Sequence, residues 1–503
     1  MAEAAPLDAP RPPGRALRIE AYLFFFVSFA LAVFLIHAPF LGLPYFWDEM
    51  GQFVPAALDI FNDGAWVPHS TVPNVHPPGV MAYLAAAWKV FGYSIGATRA
   101  AMLGLASLAV MVSFLLAIQL CRGMRGAPAF VVVLLLAVDP LFYTQSMMAQ
   151  LDMPAMMFTV LALLLFLQDR HAAAALACTA LVAAKETGAL VPLILAGVLL
   201  ADSQRRKSAV IYLAPLAGLA AWLLVLWGAT GNPFGNAGFE HYNIGYELHP
   251  VRVALCLVRR FYFVFVDQFR FVGTIAMVIT WRYRRIFSDR SWTIIWLFIG
   301  AHLLLVSLLG GAELERYVLP VMPLVYIAMA AAWSSLVPRW RNLSVGLVCA
   351  GLVLGAFVNP PFPFPYENNL AMVDFVELQK GAAHVLEQRF AEDRIYTAWP
   401  MTQALRDPAF GYVKRAIAAK ETSDLRLSTM LRIDPKTVDV LVLYSRTWEP
   451  RYSVLRIPLV QRFLERFYEY EPQMSSQQVR EHFGLRPVAQ LTQRGQWIEI
   501  FGR

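Results

Sequence analysis

Two adjacent acids, Asp48 and Glu49, follow directly on an apolar run from about Ala21 to Phe40. Carboxylates at the rim of a bilayer are candidates for surface chemistry, because hydrocarbon penalises a charge by about 3 kcal/mol near its centre and less at its edge. The other use for Asp48 is to mark the interface and cap the next helix. Asp152, in Ala149-Gln150-Leu151-Asp152-Met153-Pro154, opens a later apolar run, with Pro154 where a missing N–H costs little. An N-cap and a functional carboxylate are compatible there.

The cations that match these acids are Lys185 and Arg316. Lys185 lies in Ala183-Ala184-Lys185-Glu186-Thr187, between two short apolar stretches, where a cation needs an anion. Either Glu186 supplies it as an internal pair, or Lys185 meets a phosphate at the membrane surface. Arg316 and Tyr317 begin another span, and a planar guanidinium suits phosphate recognition, although an Arg snorkelling beside Glu313 or Glu315 would look the same. Arg259 and Arg260 would extend this basic patch or belong to a membrane-surface helix. His76 precedes Pro77-Pro78 in a stiff loop opposite the acids, which favours a substrate contact. No histidines have the spacing of a metal site, so no tightly bound metal and no firm cofactor is expected. A weakly bound divalent cation at Asp48 and Glu49 stays open.

The elements that must position these residues are membrane helices. Of 503 residues, 58% are hydrophobic and 15% charged, and the mean hydropathy is +0.52, which rules out an ordinary soluble protein. The net charge of +7 does not indicate nucleic acid, because the basic residues fall in short clusters between apolar runs. Cys121, Cys178, Cys256 and Cys349 are widely spaced in or beside apolar segments, a pattern that argues against a disulfide framework. Eleven apolar segments recur, at about 19 to 38, 97 to 120, 127 to 143, 153 to 168, 172 to 184, 187 to 201, 208 to 228, 264 to 281, 291 to 309, 318 to 337 and 343 to 358. The first is long and lacks a small-residue cleavage site, so it reads as a retained helix.

Arg122/Arg125, Arg170/His171, Arg205/Arg206/Lys207, Arg282/Arg284/Arg285 and Arg339/Arg341 occupy every second connection, as does the basic N-terminus. The positive-inside rule then puts residues 1–18 in the cytoplasm, and the acids, Lys185 and everything after Val358 on the outer side. The segments flanking Lys185 are too short for a ~30 Å hydrocarbon core, so their turn should be recessed in a protein-lined or wet cavity. Residues 51 to 63 and 79 to 92 carry apolar side chains at helical spacing and suit interfacial helices in the first outer loop.

The proline-rich stretch Asn359 to Pro365 separates the transmembrane region, 19–358, from a tail of soluble composition, 359–503. Residues 370 to 391 and 459 to 469 read as helices, and Arg394 to Ala398, Val438 to Tyr444 and Gln496 to Phe501 as strands, giving a small α/β domain. It holds no Gly-rich phosphate loop and no catalytic triad.

The order of these pieces resembles the C-type glycosyltransferases, particularly the family joining aminoarabinose transferases to protein O-mannosyltransferases. The carrying residues are Trp47-Asp48-Glu49, His76-Pro77-Pro78, Phe91-Gly92, Arg99, Asp152-Met153-Pro154, Lys185, and Arg316-Tyr317 through Pro323, over roughly residues 19 to 337. One departure is that aminoarabinose transferases tend to have Lys before the Pro-Pro element, where His76 stands.

The resemblance implies transfer of a single sugar, with inversion, from a polyprenyl-phosphate donor to a lipid or glycan acceptor on the outer face of a bacterial inner membrane. It implies Asp48 as base for a hydroxyl acceptor, or as the group that positions a substrate amine or hydroxyl where the acceptor is a phosphate, with Asp152 orienting sugar or acceptor and Glu49 supporting the loop, the three forming the catalytic group. Lys185 and Arg316 would meet the phosphate, with His76, Tyr317 and Glu186 as further substrate contacts. A protein acceptor is the alternative within the enzyme reading. A transporter or flippase would place its ionisable residues nearer mid-membrane and open to both sides.

Overall fold

A computed structural model describes residues 19–246, 248–284, 286–309 and 313–503. The basic N-terminal segment 1–18, Arg285 of the fourth basic cluster, and Gly311-Ala312 lie outside the described residues. Every one of the eleven apolar segments is helical. Six are single helices long enough to cross a membrane: Ile19–Phe40, Ile95–Leu120, Arg206–Thr230, Arg290–Leu308, Glu315–Ser334 and Pro338–Phe357. Two are bent pairs, Pro128–Val138 with Pro140–Met147 at 68° and Pro250–Phe265 with Arg270–Arg284 at 90°. The remaining three, Asp152–Leu167, His171–Ala184 and Glu186–Leu200, are short. By length and composition the described residues therefore offer six to eight full crossings, and the three short helices account for the difference from eleven. It is a multi-pass membrane protein.

Glu315–Ser334 runs through the middle of the body, 89% of its apolar window enclosed by protein, whereas Ile19–Phe40 is 11% enclosed and leaves its side chains for lipid. A broken span frees backbone groups that hydrocarbon cannot satisfy, and both breaks are repaired by one buried network. Asp139, between the two halves of the first bent pair, accepts from the Leu141 N–H at 2.8 Å. Its other oxygen accepts from the Tyr326 hydroxyl at 2.6 Å and from Arg270 at 3.4 Å. Arg270 opens the second half of the other bent pair and donates back to the Phe263 carbonyl at 3.1 Å.

The basic connections collect at one end of this body. Arg205 pairs with Asp169, Arg290 with Asp202 at 3.1 Å, and Gly126 packs against the Arg341 guanidinium. The first long loop, the Lys185 turn and the C-terminal domain occupy the opposite end. There the loop folds into a π-helical turn, Glu49–Phe53, continuing as Val54–Asp63, and the Gly79–Phe91 helix. Val80, Met81, Leu84, Ala85 and Trp88 bury one face of the latter, and Val90 and Phe91 stay exposed, the division expected of an interfacial helix.

The loop is pinned by Glu49 and Arg99, both fully buried. Arg99 donates through Nη1 and Nη2 to the Glu49 carboxylate and also to the carbonyls of Met147 at 2.8 Å, Pro44 at 3.1 Å and Leu43 at 3.2 Å. Glu49 further accepts from the N–H groups of Ala149 at 2.6 Å and Phe46 at 2.8 Å. A charge pair without water survives because nearly all of its hydrogen-bonding capacity is met.

The C-terminal domain holds a five-stranded sheet of β1 (Ile395–Ala398), β2 (Ala419–Thr422), β3 (Val440–Tyr444), β4 (Arg486–Gln493) and β5 (Gln496–Gly502). The order is β2-β1-β3-β5-β4, with β1 parallel to β2 and β3, and β5 antiparallel to β3 and β4. Ala371–Arg389 packs on it through Met372, Phe375, Val376, Ala382 and Leu386. The expected strands are β1, β3 and β5. β2, with two of four residues exposed, and β4, a solvated edge, carry weaker hydropathy.

Replacing Arg99 by Leu strands the Glu49 charge in a dry site, a loss of about 3–5 kcal/mol for a broken buried pair. Thermal unfolding of the detergent-solubilised protein should show a large fall in midpoint for Arg99→Leu. Breaking the exposed Arg394–Asp439 pair with Arg394→Gln should leave the midpoint within scatter.

Candidate active site

At the end of the body that carries the C-terminal domain, a cavity of about 790 Å³ opens between the first loop, the Lys185 turn, the 234–244 segment and the sheet domain. Its size falls among small-molecule sites, about 300–1,000 Å³. Arg316, buried at the start of the central span, is its focus. The guanidinium donates to Asp48, meets Asp152 at 3.2 Å and donates to Glu367 at 2.7 Å. These three acids come from three distant places: the exit of the first span, the first turn of the Asp152–Leu167 helix, and the hinge after Pro365.

Asp152 also accepts from Lys185 Nζ at 2.5 Å. Lys185 sits in extended backbone between two short helices, φ −154°, which turns its side chain inward, with Nζ 4.5 Å from the centre of the Tyr317 ring. Its neighbour Glu186 is engaged elsewhere, accepting from His76 Nδ1 at 2.8 Å. The His76 loop is pressed onto this turn at Gly79, where a Cβ would collide with the Ala183 carbonyl. A second close approach joins the domains: a Cβ on Gly51 would lie 2.8 Å from the Trp399 indole nitrogen. Trp399 stacks edge-on against Trp47 at 4.8 Å and lines the cavity with Arg446, which forms no salt bridge among the described residues.

Burial, reinforced by the nearby Asp48 and Asp152 charges and opposed by Arg316, pushes the Glu367 carboxyl up to about 7. Three acids and two cations, Arg316 and Lys185, meet here, so one proton on Glu367 balances the charge. The place a divalent cation would take among Asp48, Asp152 and Glu367 is held by the guanidinium, so these residues do not fit a metal as they stand. The metal-like grouping Asp59, Asp63 and His69 is not part of the cavity lining, and Asp59 there already accepts from the His69 N–H at 2.9 Å and the Ser70 N–H at 3.0 Å.

Asp48, Asp152, Lys185, Arg316, His76, Tyr317 and Glu186 all line the cavity. Glu49 does not. Both of its oxygens are consumed by Arg99 and backbone N–H groups in the interior, where it holds the turn that presents Asp48. Lys185 pairs with Asp152 rather than Glu186, and Glu313 and Glu315 belong to Arg259, at 3.4 Å for the first, rather than to Arg316. Glu367, Trp399 and Arg446 are additions that the sequence reading misses. An acid directly after a rigid run of prolines, Pro365-Tyr366-Glu367, was the one local signal for Glu367.

No protein-family model matches the chain, and no curated protein matches it by sequence. Among solved structures, ArnT from Cupriavidus metallidurans bound to undecaprenyl phosphate covers 96% of this chain and 98% of its own, at 14% identity and a TM-score of 0.54. The apo state of the same protein gives the same coverage at 16% identity and 0.52. The likeness is one of fold. The chain shares the fold of this ArnT over nearly its whole length.

Proposed function

We propose that the protein is an integral-membrane glycosyltransferase that moves one sugar from a polyprenyl-phosphate donor to a lipid or glycan acceptor at the outer membrane face. The observation that carries this reading is the convergence of Asp48 and Asp152 with Arg316 and Lys185 on one cavity at the domain-bearing end. The solved relative's undecaprenyl phosphate supports a donor of the same chemical class. Such a donor keeps its tail in lipid and presents only phosphate and sugar to the cavity, which suits a turn between helices too short to cross.

The donor phosphate meets Lys185 and Arg316, loosening their hold on Asp152 and Asp48. Asp48, freed from the guanidinium, accepts the proton of an acceptor hydroxyl as that oxygen attacks the anomeric carbon. The carbon–oxygen bond to phosphate breaks with its electron pair, and the two cations stabilise the charge that develops on the leaving group. Asp152 orients the sugar. His76, Glu186 and Tyr317 line the path beside the phosphate. A single displacement inverts the anomeric centre and leaves no sugar on the enzyme.

The gathered basic connections support an orientation with that end in the cytoplasm and the cavity and residues 359–503 outside. An impermeant maleimide should label Leu431→Cys, exposed on the C-terminal domain, in intact spheroplasts. Labelling only after lysis would reverse the orientation.

Purified protein incubated with a panel of labelled polyprenyl-phosphate sugars should release polyprenyl phosphate with one of them. Asp48→Asn should lower that release by about 10²–10⁴-fold, the range for a lost general base, and Asp152→Asn should lower it too by loosening the hold on the sugar. Undiminished release by both variants would remove the assignment.

Protonation of Glu367 relieves Arg316 of one carboxylate and leaves it more available to phosphate. As pH falls through about 7, the donor KM should therefore drop. Glu367→Gln should hold KM near its low-pH level at every pH, and a wild-type KM that is flat from pH 6 to 8 would contradict the coupling.

A further inference from the structure

The Pro458–Tyr468 helix, PLVQRFLERFY, is used by nothing described so far. None of its 11 residues is buried. Leu459, Phe463 and Phe467 recur every four residues along one stripe, and Arg462 and Arg466 follow the same spacing beside it. Leu459 is 77% exposed, and Tyr452 and Ile457 extend the open apolar surface along the preceding segment. Arg451 and Arg456 bring the patch to four arginines, none in a salt bridge among the described residues. A soluble domain gains nothing by holding bulky apolar and cationic groups together in water.

Three contacts set this helix beside the ends of apolar helices of the body. The Val454 N–H donates to the Pro361 carbonyl at 3.2 Å. Pro361 lies four residues past the end of the Pro338–Phe357 span, no more than about 14 Å along the chain. The Phe467 ring lies 5.9 Å from that of His249, which caps the Pro250–Phe265 helix. That helix exposes Val258 and Phe261, an apolar surface for lipid. Tyr468 reaches Glu313 at 3.5 Å, two residues ahead of the central span.

We propose that the Pro458–Tyr468 helix and the 451–457 segment before it lie in the membrane interface and take anionic lipid headgroups. Leu459, Phe463, Tyr452 and Ile457 enter the boundary of the acyl region while the four arginines meet the lipid phosphates. A second copy of the chain would bring four arginines and Glu465 against the same set, +3 against +3, so charge favours the lipid. The same stretch of chain runs from Arg446 and Thr447 at the cavity wall, so the anchor sets the height at which the C-terminal domain covers the site.

The test uses the full chain in nanodiscs holding one copy, in a Cys349→Ser background, the other three cysteines being buried. An environment-sensitive fluorophore is attached through Leu459→Cys or through Lys436→Cys, the latter beyond the end of β3 remote from Arg446. Nitroxide-labelled lipid should quench the Leu459→Cys conjugate severalfold more than the Lys436→Cys conjugate, and more in phosphatidylglycerol than in phosphatidylcholine. Adding Arg462→Gln and Arg466→Gln should erase the phosphatidylglycerol increment. Equal quenching at the two positions overturns the interfacial placement, and an increment that survives both Arg substitutions overturns the headgroup contact.

Discussion

One buried guanidinium organises this end of the molecule. Arg316 lies out of water at the mouth of the central span, and a desolvated cation is tolerable only when carboxylates surround it. Asp48, Asp152 and Glu367 do so, and each is carried by an element far from the other two in sequence. The knot therefore ties the first loop, the Asp152 helix and the proline hinge to a single point. The hinge in turn holds Tyr366, whose hydroxyl donates to Ser445 at the end of β3, so the charge cluster helps to position the sheet domain together with the direct bonds of Tyr45 to Phe410 and Tyr412.

The same constraint explains why two neighbouring acids behave differently. Successive residues of a helical turn point about 100° apart, so Asp48 and Glu49 cannot address one partner. Glu49 turns inward to Arg99 and backbone N–H groups, and Asp48 turns to the cavity. The interior pair makes the turn rigid, and rigidity is what lets a loop residue hold a reproducible place opposite Arg316 and Lys185.

Hydropathy made the helical body legible because a span must satisfy its backbone internally, and that demand writes a run of apolar residues into the chain. It is blind to bends: 127 to 143 and 264 to 281 read as plain spans, whereas Asp139 and Arg270 break the first and open the second after a right-angle turn. The cavity residues were legible where they interrupted apolar sequence, as Asp152 and Lys185 do. Partners were not, because reading along the chain pairs neighbours. Lys185 was set beside Glu186 and Arg316 beside Glu315, while the true ion pairs close over 33 residues and 268 residues. Glu367, Trp399 and Arg446 were hidden for the same reason, since their part depends on where a separate domain is carried.

Charge then limits what the cavity can accept. Take the His76–Glu186 pair as closed on itself. Arg316 and Lys185 then face three carboxylates, and a donor phosphodiester would add a fourth negative charge to two positive ones. Two compensations are available within the same walls. Glu367, already raised to about 7 by burial, gives up its charge by binding a proton. Arg446, reaching the cavity from the sheet domain without a carboxylate of its own, supplies a cation. On the proposed reading, the C-terminal domain thus completes the electrostatics of a site whose other cations come from the membrane helices, and donor binding is an exchange in which phosphate takes the cations that Asp48 and Asp152 release.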